Sequence, residues 1–335
     1  MKTLSVLEAT SHNPYLNLAV ETFLLQNGHK NQHTLYLWDN EPTVVIGKHQ
    51  HTLSECDLPV MTADKVNLAR RVSGGGAVYQ DSQCPLFTFL SPSSDFSKDR
   101  NNSIILSALK RFGINAETSG RNDILVNGLK VSGSAFKVGP SHSFHHGTVL
   151  VDVNLDNLGK YLSPSQSKLQ SKGVASVRSR VENLKTFESS MTSANIKTAI
   201  VDEFIKHHKV NRLNVSHSDA SSLERDPRVQ EIYQKFKSRE WILGNNPTCN
   251  IMVNERFHWG GVDIRFNVSE HRIKDVHLYS DSMFVEVIDK LKEALDSCEF
   301  SRDAVLSLKS NFKETPPEQL QCVTDVLNLV VHNIV

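Results

Sequence analysis

The stretch RRVSGGGAVYQD, residues 70–81, places two arginines before three consecutive glycines and then returns to apolar and aromatic residues. Each glycine loses more conformational freedom on folding than any other residue, so a run of three needs a compensating reason. Glycines let a backbone approach a ligand closely and present N–H groups to an anion, which the arginines would also attract. A tight bend or bulge between two strands is the competing explanation, and these residues alone leave both open.

The standard phosphate-binding motifs do not explain this run. Neither GxGxxG nor GxxxxGK[ST] occurs in the chain, so the sequence supports neither a Rossmann nor a P-loop interpretation. The chain has 335 residues with 37 Lys and Arg against 37 Asp and Glu, so no net charge attracts nucleic acid or an anionic membrane. Five cysteines are scattered singly, without metal-site or disulfide-scaffold spacing, and are predicted to be free thiols.

The second informative stretch is GRNDILVNGLKVSGSAFK, residues 120–137. The Asn-Gly pair at 127–128 between two apolar runs predicts a β-hairpin with a type I′ turn. On the second strand, a period of two places Lys130, Ser132 and Ser134 on one face. A single strand lysine is most often a solvated cation at a sheet edge. The small neighbouring residues, however, leave room for a ligand beside its ammonium group.

Three other features are compatible with a function or with none. Asp123 could hold Mg²⁺ through phosphates or cap a turn. The adjacent histidines of FHHGTVL point to opposite faces of a strand, which argues against both binding one metal ion. Lys172, Arg178 and Arg180 form either a loop that covers phosphates or a solvated basic segment.

The periodicity of the remaining chain predicts helices and strands in a mixed order. Asn13-Pro14 begins an amphipathic helix, and two more helices follow in NNSIILSALKRFG and SANIKTAIVDEFIKHH. TLYLWDN, TVVIGKHQ and CPLFTFL are predicted strands. Residues 205–250 are polar and are predicted to be loop and linker. Two alternating strands and two helices are predicted beyond them.

These elements predict an α+β (mixed α/β) protein of two domains. Residues 1–245 would form a large domain with mixed sheets and flanking helices, and residues 250–335 a small α+β domain. No stretch approaches the ~18 apolar residues of a membrane-spanning helix, so no membrane association is expected.

Several of these segments, taken in order, resemble the lipoate–protein ligase A family of the biotin/lipoyl protein ligase superfamily in its full two-domain form. The segments are NLAVE, TVVIG, RRVSGGGAVYQD, GRNDILV, KVSGSAFK, FHHGTVL, KGVASVRSRVENL and FHWGGVDIRF. The resemblance covers nearly the whole chain, and its motifs are specific to the lipoate and octanoate transfer group.

The resemblance implies a two-step reaction. ATP, with Mg²⁺, would convert (R)-lipoate to lipoyl-AMP and pyrophosphate, and a lysine of a lipoyl carrier domain would then attack the adenylate. The implied carriers are the E2 subunits of 2-oxoacid dehydrogenases and the H protein of glycine cleavage. We expect a monomer in the cytoplasm, or in the mitochondrial matrix if the source is eukaryotic.

The resemblance also implies roles for individual residues, with Lys130 as the catalytic residue. The residues that would bind ATP are Arg71, Gly76, Ala77, Val78, Tyr79 and Lys130. Those that would bind lipoate are Lys130, Ser73, Gly74, Gly75 and His146. The loop that would cover the adenylate contains Lys172, Arg178 and Arg180, and Asp123 would contact a Mg²⁺ ion bound to phosphates.

Four alternatives stay open at this point. The chain could be a lipoyltransferase that uses preformed lipoyl-AMP, or an acyltransferase that moves octanoyl or lipoyl groups between carriers. The acyltransferases use a cysteine and lysine pair, and the only cysteine near these motifs is Cys84. A biotin ligase is disfavoured by its different glycine motif. The fourth alternative is not an enzyme but a module that only binds lipoate or a carrier, and it would release no pyrophosphate.

Overall fold

The computed structural model describes residues 2–120, 122–162, 181–211, 214–244 and 248–334. The strands are β1 (Thr3–Glu8), β2 (Gln32–Trp38), β3 (Thr43–Ile46), β4 (Asn67–Arg70), β5 (Val78–Gln80), β6 (Leu86–Pro92), β7 (Glu117–Ser119), β8 (Asp123–Val126), β9 (Leu129–Val138), β10 (His142–Thr148), β11 (Val215–Asp219), β12 (Ile251–Phe257), β13 (Gly260–Ser269) and β14 (Arg272–Ser280).

The α-helices are α1 (Pro14–Asn27), α2 (Thr52–Glu55), α3 (Leu58–Ala63), α4 (Lys98–Lys110), α5 (Asp156–Tyr161), α6 (Leu184–Phe187), α7 (Ser193–His207), α8 (Ser221–Glu224), α9 (Pro227–Lys237), α10 (Arg239–Leu243), α11 (Val285–Leu295), α12 (Arg302–Ser307) and α13 (Pro317–Val331). Short 3₁₀ helices cover Ser93–Asp95 and Leu308–Phe312. Within the described ranges, no helix is long and apolar enough to cross a membrane.

The chain divides into two compact units. The first contains residues 1–46, 53–72 and 77–242, and the second contains residues 47–52, 73–76 and 243–335. Two short segments from the first quarter of the chain, one of them carrying the glycine run, therefore belong to the same unit as the C-terminal residues.

An eight-stranded mixed sheet in the order β11-β1-β2-β6-β10-β9-β8-β7 forms the centre of the first unit. Its central strands are covered on both faces. Alternate residues of β2 show this directly, because Leu35 and Leu37 join one apolar cluster with α4 and α7, whereas Tyr36 and Trp38 join another with α1 and α9. A smaller sheet, β4-β3-β5, has its own core with Tyr79.

The predicted start of α1 is confirmed. The Asn13 side chain accepts hydrogen bonds from the backbone N–H groups of Tyr15 and Leu16, and Pro14 occupies the first turn, where its missing N–H costs nothing. The second unit contains the two predicted strands as β13 and β14 and the two predicted helices as α11 and α13; strand β12 and helix α12 were not predicted. The mixed α+β fold class is likewise confirmed.

The prediction that residues 205–250 are loop and linker is wrong. Strand β11 pairs in parallel with β1, and α9 packs in the same apolar cluster as α1. The sequence is polar there because β11 lies at the edge of the sheet and is largely exposed. A helix signal was nevertheless present: Asp226 caps α9, Pro227 follows it, and Val229 and Phe236 are buried at helical spacing.

His145 on β10 makes the stability of the first unit dependent on pH. Its ring is 2% exposed and lies edge-on to Phe87, with the ring centroids 6.0 Å apart. Burial lowers the pKa of His145 to about 3, with smaller contributions from the nearby charges of His146 and Lys98. The His145 ring therefore takes up a proton near pH 6.5 in the unfolded chain but stays neutral at that pH in the folded protein.

We expect the unfolding free energy to fall as the pH drops below about 6.5. A buried histidine such as His145 should contribute about 2 kcal/mol to this fall between pH 8 and pH 5. Denaturant melts over this range should show the slope, and His145→Gln should reduce it. The exposed His217→Gln is the matched control and should keep the wild-type slope. Equal slopes in all three proteins would contradict the prediction.

Candidate functional site

The hairpin β8–β9 carries the lysine that the sequence singled out. Its two-residue turn has positive φ at both positions, 52° at Asn127 and 79° at Gly128, as a type I′ turn requires. The predicted hairpin is therefore confirmed.

A β-bulge changes which residues of β9 share a face. Asp123 pairs with Gly133 and Ile124 with Ser132, but Leu125 pairs with Lys130, so Val131 is an extra residue. The expected common face of Lys130, Ser132 and Ser134 is consequently wrong. Lys130 instead extends over Gly133, because the bulge reverses the alternation between residues 130 and 132.

Lys130 and Asp123 form an ion pair with 2.7 Å between Nζ and Oδ1. Both side chains are partly exposed, at 28% and 35%, so solvent or a ligand can still reach them. Asp123 was predicted to contact Mg²⁺ through phosphates or to cap a turn, and the structure places it against the lysine. Among the residues that the structure describes, no group of three His, Cys, Asp or Glu side chains has the geometry of a metal site.

His146, predicted to contact lipoate, belongs to a buried polar network beneath α1. His146 Nδ1 lies 2.7 Å from Glu21 Oε1, and the hydroxyl of Thr88 donates to the same oxygen at 2.7 Å. The indole N–H of Trp38 in turn donates to the Thr88 hydroxyl at 3.0 Å. Glu21 has no exposed surface, and its Oε2 has no hydrogen-bond partner among the described residues.

The sequence interpretation missed Glu21, Thr88 and Trp38. A signal existed for Glu21, because it directly follows the apolar residues Leu18, Ala19 and Val20 in α1, and a carboxylate in such a run is rarely buried without a partner. Nothing in the sequence pairs it with a threonine and a histidine on two other strands.

The two arginines before the glycine run have different environments. Arg70 donates through Nη2 to the carbonyl of Ile242 at 2.7 Å and so holds the end of α10. Arg71 is 6% exposed, and its Nη1 donates to the Val45 carbonyl at 3.1 Å. Burial lowers the pKa of Arg71 to about 10, and the negative charge of Glu21 opposes this shift. Arg71 is therefore a buried cation near a buried carboxylate.

The glycine run packs closely against residues of the second unit. A Cβ on Gly74 would lie 2.1 Å from the Ser282 carbonyl oxygen, and the N–H of Gly75 donates to that oxygen at 3.3 Å. Gly75 also has φ of 90°, which favours glycine. Close backbone packing thus accounts for Gly74 and Gly75 without a ligand. Gly76 differs, since a Cβ there would meet none of the described atoms within 4 Å.

The other predicted ATP contacts follow on β5. Val78 pairs with Val45, and Tyr79 is 4% exposed with its hydroxyl accepting from Asn157 Nδ2 at 2.8 Å. Burial raises the pKa of Tyr79 to about 12, so it is a neutral core residue. Ala77 packs against the same cluster. Ser73 is fully buried, and its carbonyl accepts from the Lys48 N–H at 2.9 Å.

Lys172, Arg178 and Arg180 lie outside the described residues. Within the first unit, the structure brings Lys130 and Asp123 together on one hairpin. It also brings His146 together with Glu21 beneath α1. Ser73, Gly74, Gly75 and Gly76 belong to the second unit.

Comparisons with known proteins define the class. Residues 13–205 match the family described as lipoyl protein ligase A/B catalytic domain, and residues 246–321 match the bacterial lipoate protein ligase C-terminus. The chain therefore belongs to the lipoate–protein ligase A family in its two-domain form, as the sequence resemblance predicts.

Relatives over nearly the full length agree with this assignment. A lipoate-protein ligase A of Psychrobacter cryohalolentis is 39% identical over 327 residues, which are 96% of each chain. That of Bdellovibrio bacteriovorus is 41% identical over 309 residues, 91% of each chain. The structure of P. falciparum LipL1 in complex with lipoate superimposes with a TM-score of 0.86 at 31% identity, covering 99% of this chain and 100% of that one.

Replacing Thr88 by valine tests the buried network. The isosteric change removes the hydroxyl that joins Trp38 to Glu21 and leaves both buried polar groups without that partner, at about 1–3 kcal/mol each. We expect a lower unfolding free energy in denaturant melts. Thr22→Val is the matched control, because the Thr22 hydroxyl is buried without a hydrogen-bond partner among the described residues and its loss should cost little. Equal costs for the two variants would contradict a role for the network.

Proposed function

We propose that this chain activates lipoate with ATP to lipoyl-AMP and transfers the lipoyl group to a lysine of a lipoyl carrier domain. The chain is an enzyme of the ligase class by its family. Its relatives carry the name lipoate-protein ligase A, and the P. falciparum relative was solved with lipoate. The observation that carries the residue assignment is the partly exposed Lys130 ammonium held by Asp123 at 2.7 Å.

Lys130 has the chemistry that the first step needs. A lipoate carboxylate must approach the α-phosphate of ATP, and the two anions repel each other. An ammonium group between them offsets this repulsion and the charge that builds up at phosphorus. Lys130 can act in this way without forming a covalent bond, and Asp123 holds the flexible side chain in one place.

The other assignments remain proposals of the same kind. We assign ATP contacts to Arg71, Gly76, Ala77, Val78 and Tyr79, lipoate contacts to Ser73, Gly74, Gly75 and His146, and contacts with the adenylate to Lys172, Arg178 and Arg180. Because its side chain is buried, Tyr79 would reach ATP through its main chain. Asp123 fits as one carboxylate ligand of a Mg²⁺ ion held mainly by phosphates, and such an ion would neutralise phosphate charge.

The second step asks less of the protein. Adenylate is already a good leaving group, so the remaining tasks are to position the incoming lysine amine and to let it lose its proton. We propose the E2 lipoyl domains and the H protein as carriers, residues 1–245 as the domain that binds both substrates, and residues 250–335 as an accessory domain. We also propose a monomer in the cytoplasm, or in the mitochondrial matrix of a eukaryote.

The thioester route of carrier-to-carrier acyltransferases is disfavoured by the environment of Cys84. This residue is fully buried, and burial raises the pKa of its thiol above the ordinary range. A reactive cysteine needs the opposite, an accessible sulfur with a lowered pKa.

Lipoate-dependent exchange between ATP and labelled pyrophosphate tests the proposal. We expect exchange with lipoate and far less with biotin, because an apolar slot leaves the polar ureido group of biotin unpaired. Transfer from synthetic lipoyl-AMP without exchange would identify a transferase, and lipoate binding without either reaction would identify a binding module. Either result, or equal exchange with biotin, would overturn the proposed activity.

Replacement of Lys130 by alanine tests its role. Because one preorganised charge contact is lost at the transition state, we expect pyrophosphate release to fall by ~10²–10³-fold or more. Arginine should restore only part of the rate, since a planar guanidinium cannot replace a compact charge between two oxygens. Lys137→Ala on the same strand is the control. A Lys130→Ala enzyme with normal turnover would show that Lys130 serves only its ion pair with Asp123.

A further inference from the structure

We propose that Gly133 is a positioning residue, whose missing side chain provides the space in which the Lys130 ammonium lies beside Asp123. A Cβ placed on Gly133 would lie 2.7 Å from Lys130 Nζ and 2.8 Å from its Cε. Non-bonded heavy atoms involving carbon prefer about 3.5–4.0 Å. The same Cβ would lie 3.9 Å from Asp123 Oδ1, an ordinary contact, so the lysine alone is crowded. The inference rests on the role proposed for Lys130.

The β-bulge explains why these two residues meet. In a regular strand, Lys130 would share its face with residue 132 and point away from residue 133. The extra residue Val131 reverses this alternation, so Lys130 crosses over Gly133 towards Asp123, which pairs directly opposite that glycine. The bulge directs the lysine, and the glycine leaves its path open.

The backbone does not itself require glycine at this position. Gly133 lies within a strand, and its φ is outside the left-handed region that favours glycine. An alanine could therefore adopt the same backbone conformation without strain. Among the described residues, the one close obstacle to a methyl group is the end of the Lys130 side chain.

The backbone around Gly133 is also held in place from both sides. The N–H of Gly133 donates to the Thr148 hydroxyl at 3.3 Å, and this hydroxyl lies 3.3 Å from the Gly133 carbonyl oxygen. On the other side, the Ser134 N–H donates to the Asn122 carbonyl at 2.9 Å, and Asn122 Nδ2 donates to the Ser134 carbonyl at 2.7 Å. An added methyl group must consequently displace the flexible ammonium and break its 2.7 Å pair with Asp123.

Gly133→Ala should therefore reduce adenylation while leaving the fold intact. A misplacement of about 1 Å at a reacting group can cost ~10²-fold in rate, and we expect a fall in kcat of that order. The thermal midpoint should stay close to that of the wild type. Ser132→Ala is the matched control, because its buried hydroxyl has no hydrogen-bond partner in the part of the chain that the structure describes and should be dispensable.

A double-mutant cycle in the full-length chain separates positioning from other effects. Single-turnover formation of lipoyl-AMP from lipoate and ATP is measured for Gly133→Ala, Lys130→Ala and the double variant. If Gly133 acts through the lysine, the double variant should be no slower than Lys130→Ala.

Three results would overturn the inference. They are a normal rate in Gly133→Ala, a further ~10²-fold loss in the double variant relative to Lys130→Ala, and a Gly133→Ala protein that does not fold. A Lys130→Ala enzyme with normal turnover would refute the proposed role of the lysine itself, and the positioning role with it. A slow Lys130→Ala beside a normal Gly133→Ala would refute the positioning role alone.

Discussion

The carboxylate of Glu21 is the constraint around which the first unit is arranged. It belongs to helix α1, has no exposed surface and contacts strands β6 and β10 of the central sheet. A buried charge is costly unless it is hydrogen-bonded and compensated. Thr88 and His146 supply polar contacts from two neighbouring strands, and Arg71 supplies a buried positive charge nearby. A helix, the central sheet and the residue after β4 are thereby tied to one charged group.

The ion pair on hairpin β8–β9 differs from the buried Glu21 network in its exposure to solvent. The Lys130–Asp123 pair is partly exposed, so its contribution to stability is expected to be small. Its geometry is nonetheless closely determined by a bulge, a glycine and the hydrogen bonds of Thr148 and Asn122. A cation held in one place is what the proposed reaction between two anions would need.

The glycine run shows that one sequence feature can have more than one cause. Close packing on Ser282 and a positive φ account for Gly74 and Gly75, whereas a Cβ on Gly76 would meet no atom of the described residues within 4 Å. Packing and backbone conformation are therefore sufficient reasons for glycine at positions 74 and 75, whereas the ligand contact of Gly76 stays a proposal. Backbone packing and ligand binding both favour glycine, for the same steric reason.

The sequence by itself determined what depends on local chemistry. The capped start of α1, the type I′ turn at Asn127–Gly128 and strands β13 and β14 follow from residue type and spacing, and the family membership follows from the resemblance of the ordered motifs. The tertiary structure decided the rest. Helix α9 was missed because a polar, partly exposed helix and edge strand resemble a linker, and the face of Lys130 was mistaken because a bulge interrupts the period of two. Glu21, Thr88 and His146 come from three distant parts of the chain, and only the pairing of strands and the packing of a helix bring their polar atoms within hydrogen-bonding distance.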